Sequence, residues 1–106
     1  MKLGIILNTN DPETAWNALR LGNTALDAGH EVSVFLMGSG VEVEEIKSEK
    51  FNVAEVLNKF AGNKGELLAC GSCLKVRQQE EGVCPVSTMP QLVQLIADSD
   101  KVVTFG

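Results

Sequence analysis

The 106-residue sequence has no tyrosine, a single histidine (His30) and a single tryptophan (Trp16). Acid–base chemistry built on histidine or tyrosine has almost nothing to work with, which leaves cysteine and carboxylate chemistry. Positive charge is also short: nine Lys and Arg stand against fourteen Asp and Glu, for a net charge of -5 and a pI near 4.8. Phosphate neutralisation needs a basic face, so direct nucleic-acid binding is not expected. An anionic membrane surface is disfavoured on the same ground. Long apolar runs are missing too. The longest, residues 3–7 and 34–37, fall far short of the ~20 residues that span a bilayer. The N-terminus lacks the basic-then-apolar layout of a signal peptide, so the expected location is the cytoplasm. Three cysteines in that reducing compartment read as free thiols, metal ligands or redox groups.

What is present describes an ordinary globular chain. Hydrophobic residues make up 44% and charged residues 22%, well away from disordered composition. The length suits a single domain over residues 1–106. Residues 3–7 read as a buried strand, Asp11 and Pro12 open a helix, and Gly29 closes it in the left-handed conformation. Between them Ala15, Ala18, Leu19, Gly22, Ala25 and Leu26 recur at helical spacing. Residues 32–37 read as a second strand. Asn52 and Glu55 pair as a cap before a helix carrying Val53, Val56, Leu57, Phe60 and Ala61, which Gly62 or Gly65 ends. Residues 66–70 read as a third strand, Ser72 caps a short helix to about Glu81, and residues 83–86 form a fourth, edge strand with Pro85. Thr88 and Pro90 open a last helix with Met89, Leu92, Val93 and Ile96 on one face, and residues 101–105 close the fold. This βαβαβαβαβ alternation predicts a three-layer α/β/α fold with an open, mainly parallel five-stranded sheet. A site is expected outside the carboxyl ends of its strands.

Cys70-Gly71-Ser72-Cys73 stands at such an end, where the third strand meets the third helix. A thiol there faces unpaired backbone N–H groups and the positive end of a helix dipole, and Lys75 and Arg77 follow closely; all favour the thiolate. The bland alternative is two small buried residues. A zinc site of Cys70, Cys73, Cys84 and His30 conflicts with the topology. His30 precedes the second strand and Cys84 opens the fourth, so both are expected at the amino edge. A strand about 17 Å long would then separate them from Cys70, whereas zinc ligand atoms lie about 2.0 to 2.3 Å from the metal. No metal is expected. Gly38-Ser39-Gly40 lacks the third glycine of a dinucleotide loop, so no cofactor is expected. Glu42, Glu44 and Glu45 read as a solvated acidic face, His30 as an exposed turn residue, Met37 and Met89 as packing, and Cys84 as structural. Trp16, off the small-residue stripe, is expected on the flank of the sheet or in a subunit contact.

The junction at Cys70, the Leu74-Lys75-Val76-Arg77 after it, the Gly29-His30-Glu31-Val32 approach to the second strand and the closing Ala97-Asp98-Ser99-Asp100-Lys101-Val102-Val103-Thr104-Phe105 together resemble the DsrE/DsrF-like sulfur-relay family, which includes TusD-type subunits. Nearly the whole chain fits. The resemblance implies a small α/β subunit that assembles into trimers or hexamers and carries sulfur as a cysteine persulfide between donor and acceptor proteins. Cys70 matches the family's reactive cysteine at the end of the third strand. Cys73 belongs to a Cys-x-x-Cys variant absent from the relay subunits whose role is clearest, and a second thiol there can resolve a persulfide into a disulfide. The expected function is an intracellular, sulfurtransferase-like carrier that accepts sulfane sulfur on Cys70. The alternatives are a dithiol–disulfide redox protein using Cys70 and Cys73, or a non-catalytic oligomeric binding module.

Overall fold

Five strands alternate with helices in a computed structural model that describes residues 1–79, 82 and 84–106. In chain order they are β1 (Lys2–Leu7), α1 (Pro12–Asp27), β2 (Glu31–Leu36), a 3₁₀ segment (Gly38–Glu45), α2 (Val53–Gly62), β3 (Glu66–Cys70), α3 (Gly71–Val76), β4 (Val86–Ser87), α4 (Met89–Asp98) and β5 (Lys101–Phe105). Every strand pair is parallel, and the order is β4-β3-β2-β1-β5. The chain therefore steps outward from β1 to β4 and crosses back through α4 to place β5 on the far side of β1.

Alternation along β1 sorts the layers. Leu3, Ile5 and Leu7 are buried on the face where α1 and α2 pack. A β-carbon at Gly22 of α1 would sit 2.8 Å from the Phe60 ring of α2 and 3.6 Å from Ile5, so glycine there lets both helices approach the strand. Gly4 faces the opposite layer, where an added β-carbon would meet Leu95 and Ser99 of α4 at 2.9 Å. Asn23, a polar residue on the buried face of α1, ties α1 to α2 by donating from Nδ2 to the Val56 carbonyl at 3.0 Å.

Local signals formed as their chemistry dictates. Asp11 accepts the Thr14 N–H at 2.9 Å, Asn52 accepts the Glu55 N–H at 3.1 Å, and Thr88 and Gln91 close a reciprocal capping box. Gly29 adopts φ +89° after α1.

Several readings need correction. Ser72 does not cap α3: it is exposed within the helix, and Cys70 holds the cap position without a side-chain capping bond. The helix stops at Val76, with Gln78 in the left-handed region (φ +54°). The expected helix end at Glu81 and strand start at Val83 lie outside the described residues. On α4 only Leu92 and Leu95 are buried, while Met89, Val93 and Ile96 are exposed, because the helix meets the sheet along a narrower stripe than its composition suggests. Ala61 of α2 is likewise exposed. Trp16 is not among these: it packs partly buried against the core, its ring centre 5.3 Å from that of Phe51, with the Arg20 guanidinium 4.2 Å from the indole.

Candidate functional site

The carboxyl edge of the sheet gathers three chain segments around the Cys70-Gly71-Ser72-Cys73 turn. Leu7 of β1 leads into Asn8 and Asn10, Leu36 of β2 leads into Gly38-Ser39-Gly40, and β3 ends at Cys70. The loops after β1 and β2 lie close enough to demand glycine. Gly38 has φ +56°, and a β-carbon there would sit 2.2 Å from Asn8 Oδ1; one at Gly40 would sit 2.2 Å from the Leu7 carbonyl oxygen. The Gly-Ser-Gly sequence thus serves this close approach, with Ser39 Oγ accepting the Asn10 N–H at 3.0 Å.

Cys70 is 3% exposed. Cys73, one turn into α3, is half-buried, and its sulfur accepts the Gly38 N–H at 3.2 Å. The two thiols stand one turn apart, three residues from each other, and interact electrostatically. Against the expectation that this junction favours the thiolate, the Cys73 thiol stands above the ordinary cysteine value: burial is the main cause and the neighbouring Cys70 adds to it, while the Gly38 N–H and the Arg77 guanidinium offset only part of the rise. Arg77 donates from Nη1 to the Cys73 carbonyl at 3.3 Å and pairs through Nε with Glu42 at 3.5 Å. Glu42 also accepts from Asn10 Nδ2 at 3.3 Å. Glu42, read as part of a solvated face, is therefore a partly buried tie between the β1 loop, the 3₁₀ segment and α3. Asn10 and Arg77 lie 32 and 35 residues from it, so no local pattern marks it. Its spacing beside buried Val41 and Val43 was the available hint.

Cys84 sits elsewhere than its strand assignment implied. Because β4 is only two residues long and pairs Val86 with Ala69 and Ser87 with Cys70, it lies along the carboxyl half of β3. Cys84 is accordingly buried beside the 3₁₀ segment, lining a cavity of about 400 Å³ with Val41, Glu44, Ala69, Leu74 and Gln78. Burial and the nearby Glu44 charge push its thiol up to about 12. His30 does lie at the amino edge, where its Nδ1 is 3.2 Å from the Met1 amino nitrogen. No group of three or more His, Cys, Asp or Glu suited to holding a metal occurs among the described residues. A larger cleft of about 610 Å³ opens at that amino edge. Its Ser33 and Glu66 are hydrogen-bonded to each other, and no cysteine lines it.

Over residues 1–105 the sequence matches the model of the DsrE/DsrF-like family. The chain belongs to that family. Among its relatives, an uncharacterized protein of Methanocaldococcus jannaschii is 36% identical over 115 aligned residues, covering 99% of this chain and 100% of that one. An uncharacterized protein of Methanopyrus kandleri is 37% identical over 101 residues, covering 88% and 83% respectively. The DsrE/DsrF-like family includes TusD-like sulfur-relay members, so a connection with sulfur relay accompanies the fold. No helix among the described residues is long and apolar enough to cross a membrane.

Proposed function

We propose that this chain is a cytoplasmic sulfur carrier, sulfurtransferase-like in its chemistry, that holds sulfane sulfur as a persulfide on Cys70 and passes it from a donor protein to an acceptor protein. The observation that carries this reading is the neighbouring pair of free thiols at the carboxyl edge, with a backbone N–H aimed at one of the sulfurs, in a DsrE/DsrF-like chain. Transfer is a thiolate displacement at sulfur, and a fixed N–H donor stabilises the anionic sulfur that such a step consumes and regenerates. The exposed Met89, Val93 and Ile96 of α4, together with Val86 and Val102, supply apolar surface for a homo-oligomer, a trimer or hexamer by the family's pattern.

Intact-mass measurement after incubation with a persulfide donor tests this. The wild type should gain one sulfur atom on the Cys70–Cys73 segment, and the C70S/C73S double variant should gain none. An adduct that survives in the double variant overturns the assignment. The one-turn spacing of the two thiols favours a second reading, a dithiol–disulfide protein using Cys70 and Cys73. That protein would reach a measurable equilibrium with glutathione, and it requires both thiols to disappear together on mild oxidation. Thiols on this segment that never outpace free cysteine in alkylation would instead favour the non-catalytic binding module.

A further inference from the structure

The two thiols of the pair differ in what can reach them. Displacement at sulfur needs the attacking thiolate in line with the bond that breaks, so the thiol that first meets a donor must be accessible to a whole incoming R–S–SH group. Cys70, 3% exposed at the end of β3, offers no such approach. Cys73 is half-buried, carries the Gly38 N–H on its sulfur at 3.2 Å, and stands one turn from the buried Cys70 at the cap of the same helix. We infer that Cys73 is the receiving thiol and that it hands the sulfur inward to Cys70, an order that rests on the carrier reading above.

Each step balances. The Cys73 thiol, as thiolate, attacks the outer sulfur of the donor persulfide; the donor S–S bond breaks, Cys73–S–SH forms, and R–S⁻ leaves and takes up the proton Cys73 lost. The Cys70 thiolate then attacks the outer sulfur of Cys73–S–SH. The Cys73 S–S bond breaks, Cys70–S–SH forms, and Cys73 departs as a thiolate that recovers the Cys70 proton. The sum is R–S–SH plus a protein thiol giving R–SH plus a protein persulfide, with no net oxidation. The Gly38 N–H points at the sulfur that is nucleophile in the first step and leaving group in the second. Burial at Cys70 then keeps the loaded sulfur from bulk thiols, and delivery to an acceptor retraces the route through Cys73.

The test is time-resolved loading with glutathione persulfide, quenched by alkylation and read by fragment-ion mass, which separates Cys70 from Cys73 within one peptide. C70S should load Cys73 at close to the wild-type rate, and C73S should load Cys70 at least roughly tenfold more slowly. C73A, checked for an unchanged thermal transition, should match C73S. Wild-type loading rates in C73S and C73A overturn the order while leaving the carrier reading standing. Absence of sulfur uptake by the wild type overturns the carrier reading and this order with it. Iodoacetamide on the unloaded wild type gives a second measurement: it should label Cys73 before Cys70, and the reverse sequence also overturns the order.

Discussion

Cys73 and Cys84 are both thiols withdrawn from water behind the same 3₁₀ segment, yet their surroundings act on them differently. At Cys84, burial and the Glu44 carboxylate work in the same direction, and the thiol is held protonated up to about 12. At Cys73, burial and Cys70 raise the value while the Gly38 N–H and Arg77 lower it. Burial alone produces an inert cysteine. At Cys73 a donor fixed on the sulfur offsets part of that effect, and it comes from a loop 35 residues earlier in the chain.

Labelling rates give this contrast its largest expected effect. From thiolate fractions alone, Cys84 should react with iodoacetamide at about pH 8 on the order of a thousandfold more slowly than an unperturbed cysteine, and denaturant should abolish the difference. Peptide-mapped labelling of the native protein checks this, and comparable labelling of Cys84 and Cys73 would break the comparison. Stability should show the same asymmetry at alkaline pH. The folded protein keeps the Cys84 proton to about 12, while the ordinary value is 9.0. Between those values the folded state binds more protons, so its stability is complete below about pH 9 and declines as pH rises toward 12. Urea unfolding at about pH 7 and pH 10 should show a shallower decline in C84A than in the wild type, beside a pH-independent loss of about 1 kcal/mol from the vacated volume.

A third substitution separates the donor from the burial. Gly38→Ala forces a β-carbon toward Asn8 Oδ1 at a residue with φ +56°, so it should cost about 1–3 kcal/mol in thermal or urea unfolding. It should also shift the N–H away from Cys73 and move the pH midpoint of Cys73 labelling upward, while Cys84 labelling stays unchanged. An unchanged Cys73 midpoint would mean that the N–H has no part in tuning the thiol.

The distance over which each signal acts explains what could be read in advance. The helix starts at Asp11, Asn52 and Thr88, the left-handed Gly29 and the apolar runs of β1, β2 and β5 depend on neighbours a few residues away, and the sequence shows them directly. Cys70 at the end of β3 belongs to the same class. The position of Cys84 does not: it follows from β4 pairing only at Ala69 and Cys70, a register set across strands. The Gly38–Cys73 and Glu42–Arg77 contacts join residues 35 apart in each case, so the spacing of glutamates in the 3₁₀ segment looked like solvent-facing charge. The fold class was legible down to the strand, whereas the dressing of the thiols was not.

That dressing also sets the smallest of the expected effects, which is the one most specific to the Cys73 side of the contrast. Arg77 lowers the Cys73 value, but its guanidinium is shared with Glu42 at 3.5 Å, and both side chains are about 30% exposed, so solvent weakens the whole arrangement. Arg77→Gln removes a favourable charge and should slow Cys73 labelling roughly two- to threefold at low salt. Glu42→Gln removes the competing anion and leaves Arg77 free to act on the thiol, so it should speed labelling by a similar factor. Added salt should shrink both changes, because exposed charges are screened over about 10 Å at 0.1 M. Opposite signs at Cys73 distinguish electrostatic tuning from simple loosening of α3, since loss of the ion pair as a structural tie would change both variants in the same direction.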